Sequence, residues 1–393
     1  MKRILSLALV LVMVFSAFAV SASATDDKTL RFDENGEFNI MHICDCQDDY
    51  PANPDMLIFL DAVVKEYKPD LVVLGGDNTV GPENMTKEDK EAAINELVSV
   101  FVKNETYFTL VFGNHDHQQG FTDDELFVMY QKYGGKYCLA YDEVPSLTGT
   151  ATHALPVLGS KSDKTELMLY MFDSNQYVSV NGFEDEYDSV NPDQIEWYKK
   201  VSEEKEKENG KVVPALAFQH IIVGEVYDAL FHESPFDMGE LSRSFNGKIY
   251  SFLPRTENIE SGFLFEFPCP GYYNHDQFKA MKDRGDVMGI FSGHDHTNDF
   301  VTELDGIKIV NTPGATHGGY STDFNRGVRM ITVNENNPGT FETEVVTTRQ
   351  FALDNSDYAE AVGISKFGAM ITIAFGEFLM AMGKFTGIFS RLF

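Results

Sequence analysis

Asp45 and Gln47 in "CDCQD", Asp77 in "GGDN", Asn114, His115 and Asp116 in "GNHDH", His220 in "FQH", and His294 and His296 in "SGHDH" each close an apolar run. Taken singly, such residues have ordinary explanations. A carboxylate after a strand makes a turn or caps a helix, and a histidine is commonly a satisfied side chain. Five such tips in one chain are harder to dismiss, because Asp, Gln and Asn oxygens mixed with imidazole form a donor set suited to Mn, Fe or Zn. The mixture suits these ions better than it suits calcium or a thiolate zinc site. A set of this size exceeds one ion and fits two ions sharing one carboxylate. Such pairs, about 3.5 to 4 Å apart, clamp the oxygens of an in-line displacement at phosphorus.

The segments that must position these residues alternate in period. "EFNIMHICD" (37–45) alternates and is rich in β-formers, 55–67 has helical spacing, and "LVVLGG" (71–76) is a short aliphatic run. A helix capped by Thr86 is predicted over 86–104, followed by a strand at 107–113. This order predicts a parallel sheet covered by helices, in which ligands bind beyond the carboxyl ends of the strands. The intervals from Asp45 to Asp77 and from Asp77 to Asn114 each match one strand–helix–strand unit. If the backbone stays extended past the strand ends, Asp45 and Gln47 share a side, as do His294 and His296. Strands at 166–174, 212–220 and 287–293, a helix at 192–208, an irregular insertion at 221–272 and four short closing strands complete one elaborated α/β domain.

The 393 residues carry a formal charge of −30. That surface repels polyanions and argues against binding a nucleic acid duplex, while leaving room for a small phosphorylated substrate at one locally positive point. Lys2 and Arg3, an apolar run over 4–20 and Ala22-Ser23-Ala24 read as a signal peptide of residues 1–24, which predicts a secreted or cell-surface protein. The four cysteines are too few for a disulfide scaffold; Cys44 and Cys46 are badly placed to pair with each other, and a Cys138–Cys269 bridge stays open. After a main domain at 25–350, the segment 351–393 ends in an amphipathic helix with Phe367, Met370, Ile371, Ala374, Phe375, Phe378, Leu379, Met382 and Phe385 on one stripe. Three placements fit it: lying in a membrane interface as a peripheral contact, docked on the body or a second copy, or spanning a bilayer.

The ordered motifs D-x-[H/Q], GD, GNH[D/E], H and GHxH resemble those of the calcineurin-like metallophosphoesterases. "GHDHTNDF", "FDSNQY" and "NPDQIEWY" look most like the branch joining secreted bacterial phosphohydrolases to plant and fungal purple-acid-phosphatase-like proteins. The resemblance runs over about 37–350. It implies a four-layer α/β/β/α sandwich of two mixed β-sheets flanked by helices, with Asp45, Gln47 and His296 on the first of two divalent ions and Asn114, His220 and His294 on the second. Asp77 bridges them, next to glycines that let the backbone approach. His115 faces the nucleophile as the catalytic acid, oriented by Asp116. The implied reaction is attack on phosphorus by a hydroxide bridging the ions, whose charge outweighs the surrounding carboxylates. A phosphomonoesterase is the expected activity. The alternatives are a phosphodiesterase on nucleotides or lipid head groups, and a metal-binding surface protein without turnover. Two departures stand out: relatives commonly have His where Gln47 stands, and Val80 replaces the tyrosine that gives purple acid phosphatases their ferric centre. Substrate choice is expected in 221–272 and 311–327, with Tyr320, Arg326 and His317 as candidates.

Overall fold

The structure, a computed structural model, describes residues 29–386 apart from Glu83 and Asn181. The predicted signal peptide lies outside the described residues. Two mixed sheets stack face to face. The first has the order Phe341–Thr347, Gly327–Asn334, Glu37–Ile43, Leu71–Gly75, Phe108–Val111, and its last three strands are parallel. The second runs Leu30–Arg31, His153–Leu158, Thr165–Met171, Ala215–Phe218, Val287–Ser292, Ile307–Asn311, Val301–Leu304, Ile259–Ser261, with four adjacent parallel strands at its centre.

Three apolar cores separate four layers, as the family resemblance implies. Between the sheets, Phe38, Ile40, Leu71 and Val73 of the first meet Leu169, Leu216, Phe218 and Phe291 of the second. Side chains of alternate parity on the same strands, such as Met41, Ile43, Val72 and Leu74, face outward onto the helices Pro54–Tyr67, Lys87–Lys103 and Asp123–Gly134. The other sheet is covered by Pro192–Asn209, Val226–Leu230 and Gln277–Arg284 through residues including Trp197, Tyr198, Leu230 and Met281. Burial on both faces explains why these strands read as continuous aliphatic runs.

Local chemistry sets the helix starts. Asn53 accepts from the backbone N–H groups of Asp55 and Met56, and Thr86 and Asp89 form a capping box; such caps contribute about 1 kcal/mol each. The predicted irregular insertion is more ordered than expected: it contains a short helix and the antiparallel strands Phe231–Glu233, Ser242–Phe245 and Lys248–Pro254. A second hairpin, Tyr177–Val180 with Phe183–Tyr187, was not legible in the sequence. All four cysteines are free, so the Cys138–Cys269 bridge is not formed.

Candidate metal centre

Strand register brings the tips together. Ile43 lies opposite Leu74 and Gly75 opposite Val111 in the first sheet, while Phe218 pairs with Phe291 in the second. The loops bearing Asp45, Asp77 and Asn114 therefore start side by side, facing those bearing His220 and His294. The backbone does not stay extended there, contrary to expectation. Asp45 (φ 52°), Gln47 (φ 39°), Asp77 (φ 50°) and His294 (φ 71°) all adopt left-handed conformations that cost non-glycine residues about 1 to 3 kcal/mol each. The turns are held by hydrogen bonds from Asp45 N to Gly76 O (3.0 Å) and from Gln47 N to Asp77 O (2.9 Å).

Glycine is required where rings and carboxylates crowd the backbone. A Cβ on Gly76 would stand 2.6 Å from His220 Nδ1, and one on Gly113 would stand 2.3 Å from Asp77 Oδ1. The immediate neighbour that excludes a side chain at Gly76 is thus the imidazole of His220.

Two groups of side chains can each bring their ligand atoms within 4.8 Å of one another: Asp77, His220 and His294, and Asp45, Asp77 and His296. Asp77 belongs to both. Its Oδ1 accepts from His115 N (2.7 Å), and its Oδ2 accepts from Gln47 Nε2 (3.0 Å) and lies 3.3 Å from His220 Nε2. Asp45 Oδ2 accepts from His294 N at 3.0 Å, leaving Oδ1 turned inward, 3.3 Å from His296 Nε2.

The donor atoms are oriented from behind. His220 Nδ1 donates to Gly75 O (2.9 Å) and His296 Nδ1 to Tyr320 O (2.8 Å); a carbonyl only accepts, so each Nε2 is the nitrogen aimed into the site. Asn114 Nδ2 donates to the Tyr177 hydroxyl at 3.0 Å, which frees Oδ1. Asp45 Oδ1, Asn114 Oδ1, His220 Nε2 and His294 Nε2 are all buried without a hydrogen-bond partner among the described residues. His220 Nε2 approaches Asp77 at ion-pair distance but without hydrogen-bond alignment. Buried polar atoms are rarely left so. A convergent set of carboxylate, amide and imidazole donors fits a pair of divalent cations.

Gln47 reaches the site differently from expectation. Its amide nitrogen, the end that pairs with a carboxylate, points at Asp77. Turning the amide over would bring Oε1 to the same place.

Asp116 requires a correction. Its carboxylate accepts from the backbone N–H groups of Gly113 (2.9 Å), Asn78 (2.9 Å) and Thr79 (3.0 Å), tying together the loops of Asp77 and Asn114. Burial first, and the charge of Asp77 second, push its carboxyl up to about 6. No hydrogen bond joins it to the His115 ring. That ring is instead paired through Nδ1 with the side-chain amide of Gln118, which donates and so leaves the ring proton on Nε2. Lys90, fully buried on the helix Lys87–Lys103, donates to Thr79 O (2.9 Å) and braces the same loop. Sequence reasoning missed Gln118 and Lys90. Gln118 lies in the turn after the motif, and Lys90 reads as an ordinary solvent-facing lysine.

Aromatic rings enclose the centre. Tyr320 stacks on His296 (centroids 4.0 Å, 8°), Tyr187 stands edge-on to His294 (4.4 Å, 87°), and Tyr177 stacks on Tyr187. Arg326 donates to Thr316 O and pairs with Asp323, and His317 Nδ1 donates to Ala315 O; the structure places both in loop closure.

Burial disfavours a charged His220, but Asp77 and then Asp45 outweigh it and hold the imidazole up at about 10, while burial pushes His294 down to about 3. In the ion-free protein the His220 proton thus provides the positive charge between the carboxylates. Because this pKa lies above the ordinary 6.5, its stabilising contribution is full below about 6.5 and is lost as pH rises through about 10. The ion-free protein is therefore expected to lose melting temperature between pH 7 and 10. Metal uptake at pH 7 is expected to release at least one proton and to tighten about tenfold per pH unit for each proton released. Calorimetric titration in buffers of different ionisation enthalpy checks this; uptake without proton release contradicts it.

The sequence pattern of the calcineurin-like phosphoesterases matches residues 38–298, spanning all the motif residues named above. The chain belongs to that family. This calcineurin-like phosphoesterase is 27% identical over 363 residues to "Probable inactive purple acid phosphatase 14" of Arabidopsis thaliana, covering 84% of this chain and 83% of that one. It is also 27% identical over 341 residues to "Probable inactive purple acid phosphatase 29" of the same plant, covering 79% and 80%. Of solved structures, a dimetal phosphatase from Danio rerio is similar, with a TM-score of 0.48 and 14% identity over 79% of this chain and 98% of that one.

Proposed function

We propose that this phosphoesterase is a secreted phosphomonoesterase carrying two divalent ions, Mn, Fe or Zn. Asp45 and His296 hold one ion, Asn114, His220 and His294 hold the other, Asp77 joins them, and Gln47 contributes to the first. The observation that carries this reading is the pair of ligand groups sharing Asp77, together with four inward donor atoms that lack partners. When bound, such ions supply Lewis-acid stabilisation of phosphoryl oxygens and a nucleophile at neutral pH. The chain's own groups do the rest. Tyr187 and Tyr320 wall off the ligands, and the backbone N–H of His115 fixes the Asp77 carboxylate. As an imidazolium, with the Gln118 amide turned so that its Oε1 accepts from Nδ1–H, His115 would give its Nε2 proton to the ester oxygen as the phosphorus–oxygen bond breaks, leaving the neutral ring. A metal-binding protein without turnover is the rival reading. The ring of His115, held through Nδ1 by the Gln118 side-chain amide so that Nε2 is the nitrogen left for a substrate, weighs against it.

The deciding experiment is hydrolysis of p-nitrophenyl phosphate beside its bis-ester by the metal-stripped chain without residues 1–24, titrated with Mn, Fe and Zn. Metal-dependent turnover of the monoester in preference to the diester supports the proposal. Diester preference moves the reading to a phosphodiesterase, and metal binding with no ester turned over favours the non-catalytic binder.

A cleft of about 500 Å³ adjoins the centre at Tyr187 and is lined by Arg243, Asn246, Cys269 and Tyr272 from the ordered insertion. We assign the alcohol portion of the substrate to it. Arg243→Ala is expected to raise KM about tenfold more for esters whose alcohol portion carries a second negative charge than for p-nitrophenyl phosphate, as one lost charged hydrogen bond implies. Equal KM changes for both ester types would remove Arg243 from this role.

A further inference from the structure

The C-terminal helix Lys366–Thr386 docks on the body through its small residues. Ala369 is fully buried, and a Cβ on Gly376 would meet the Phe324 side chain at 2.8 Å. The large apolar side chains therefore point away from the protein. Phe367 is 73% exposed, Met370 59%, Ile371 53%, Phe375 56% and Phe378 57%. They share one stripe with Ala374, without a hydrogen-bonding side chain among them. A contiguous apolar face of this kind on a described surface marks an interaction site.

We propose that this face lies in the interfacial zone of a lipid bilayer, parallel to its plane. Among the described residues no helix is long and apolar enough to cross a membrane, which leaves a surface-lying placement for a helix of this composition. In the sequence, Phe385, Phe389 and Phe393 continue the same spacing to residue 393, beyond the side chains described. Charge favours lipid over protein. The segment 366–393 has three basic residues, Lys366, Lys384 and Arg391, against Glu377 alone, in a chain whose total charge is −30. Within the screening length of about 8 Å at physiological salt, a bilayer meets this basic segment; a second copy brings another acidic body with it. Through Phe324 the helix abuts the loop that lays Tyr320 over His296, so the lipid-facing element and the metal centre share one loop.

The test is vesicle flotation of the chain without residues 1–24, which retains every described residue, beside the triple variant Phe367→Ser, Phe375→Ser, Phe378→Ser. All three replaced side chains are exposed, and circular dichroism checks that the variant is folded. The unaltered chain is expected to float with phosphatidylcholine vesicles containing phosphatidylglycerol, and the variant's bound fraction to fall at least about tenfold. Weaker flotation on phosphatidylcholine alone supports the contribution of the basic residues. Absence of flotation, or equal flotation of the variant, overturns the proposal. A dimer by light scattering that the triple variant converts to monomer overturns it too and assigns the face to a second copy. None of these outcomes depends on the chemistry at the metal centre.

Discussion

Asp77→Asn is expected to lower metal-dependent hydrolysis of p-nitrophenyl phosphate by at least about 10³-fold, the scale of losing several kcal/mol of charge stabilisation in the transition state. The substitution keeps the size of the side chain and removes its charge. Asp77 is the one residue common to both ligand groups, and its two oxygens are committed to different neighbours: Oδ1 to the N–H of His115, Oδ2 to Gln47 and His220. An amide presents one oxygen and cannot serve both directions. Metal content by atomic emission should fall from two ions in the loaded protein toward one or none. The ion-free variant gives a second readout. Without the Asp77 charge, burial dominates at His220 and its pKa drops, so the proton released on metal uptake should shrink. A variant that keeps two ions and full turnover would refute the shared-carboxylate centre.

His115→Ala is expected to reduce kcat by about 10² to 10⁴-fold while metal content stays at the level of the unaltered protein. The backbone N–H that holds Asp77 survives this change, so the ligand groups remain in place and only the ring is lost. The loss should depend on the ester. An alkyl phosphate, whose alkoxide needs a proton to depart, should suffer most, and p-nitrophenyl phosphate, whose phenolate leaves readily, should suffer least. Gln118→Ala should show the same leaving-group trend with smaller amplitude, because Gln118 positions the ring through Nδ1. Equal losses for both esters would mean that His115 is structural. Unchanged activity would show that the proton comes from elsewhere.

The two corrections at this site have one physical origin. Asp116 follows His115 in the motif, and neighbours in sequence are readily assumed to act on each other. In the folded chain the turn carries the Asp116 carboxylate down among three unpaired backbone N–H groups, where it is needed to satisfy them, and the vacated partnership at His115 passes to Gln118. At Asp45 and Gln47, hydrogen bonds to the Gly76 and Asp77 carbonyls pull the chain out of extension into left-handed turns. Asp tolerates that region better than most residues, but no propensity favours Gln47 there. The conformations persist because the surrounding loops over-determine them.

The sequence by itself determined the α/β class, the family resemblance and the set of residues at the strand tips, since these follow from hydrophobic period and from chemistry placed at the ends of apolar runs. It also determined that the terminal helix has one apolar face. Only the tertiary structure decided which way that face points. Amphipathicity reports a difference between two faces, whereas docking depends on close approach, and here Ala369 and Gly376 allow a closer fit to Phe324 and the helix Thr348–Asp354 than the phenylalanines could. The same holds at the metal centre. Donor identity is local and readable, but the orientation of the His220, His296 and Asn114 donors is set by the hydrogen bonds these side chains give to Gly75 O, Tyr320 O and the Tyr177 hydroxyl, acceptors that only folding brings behind them.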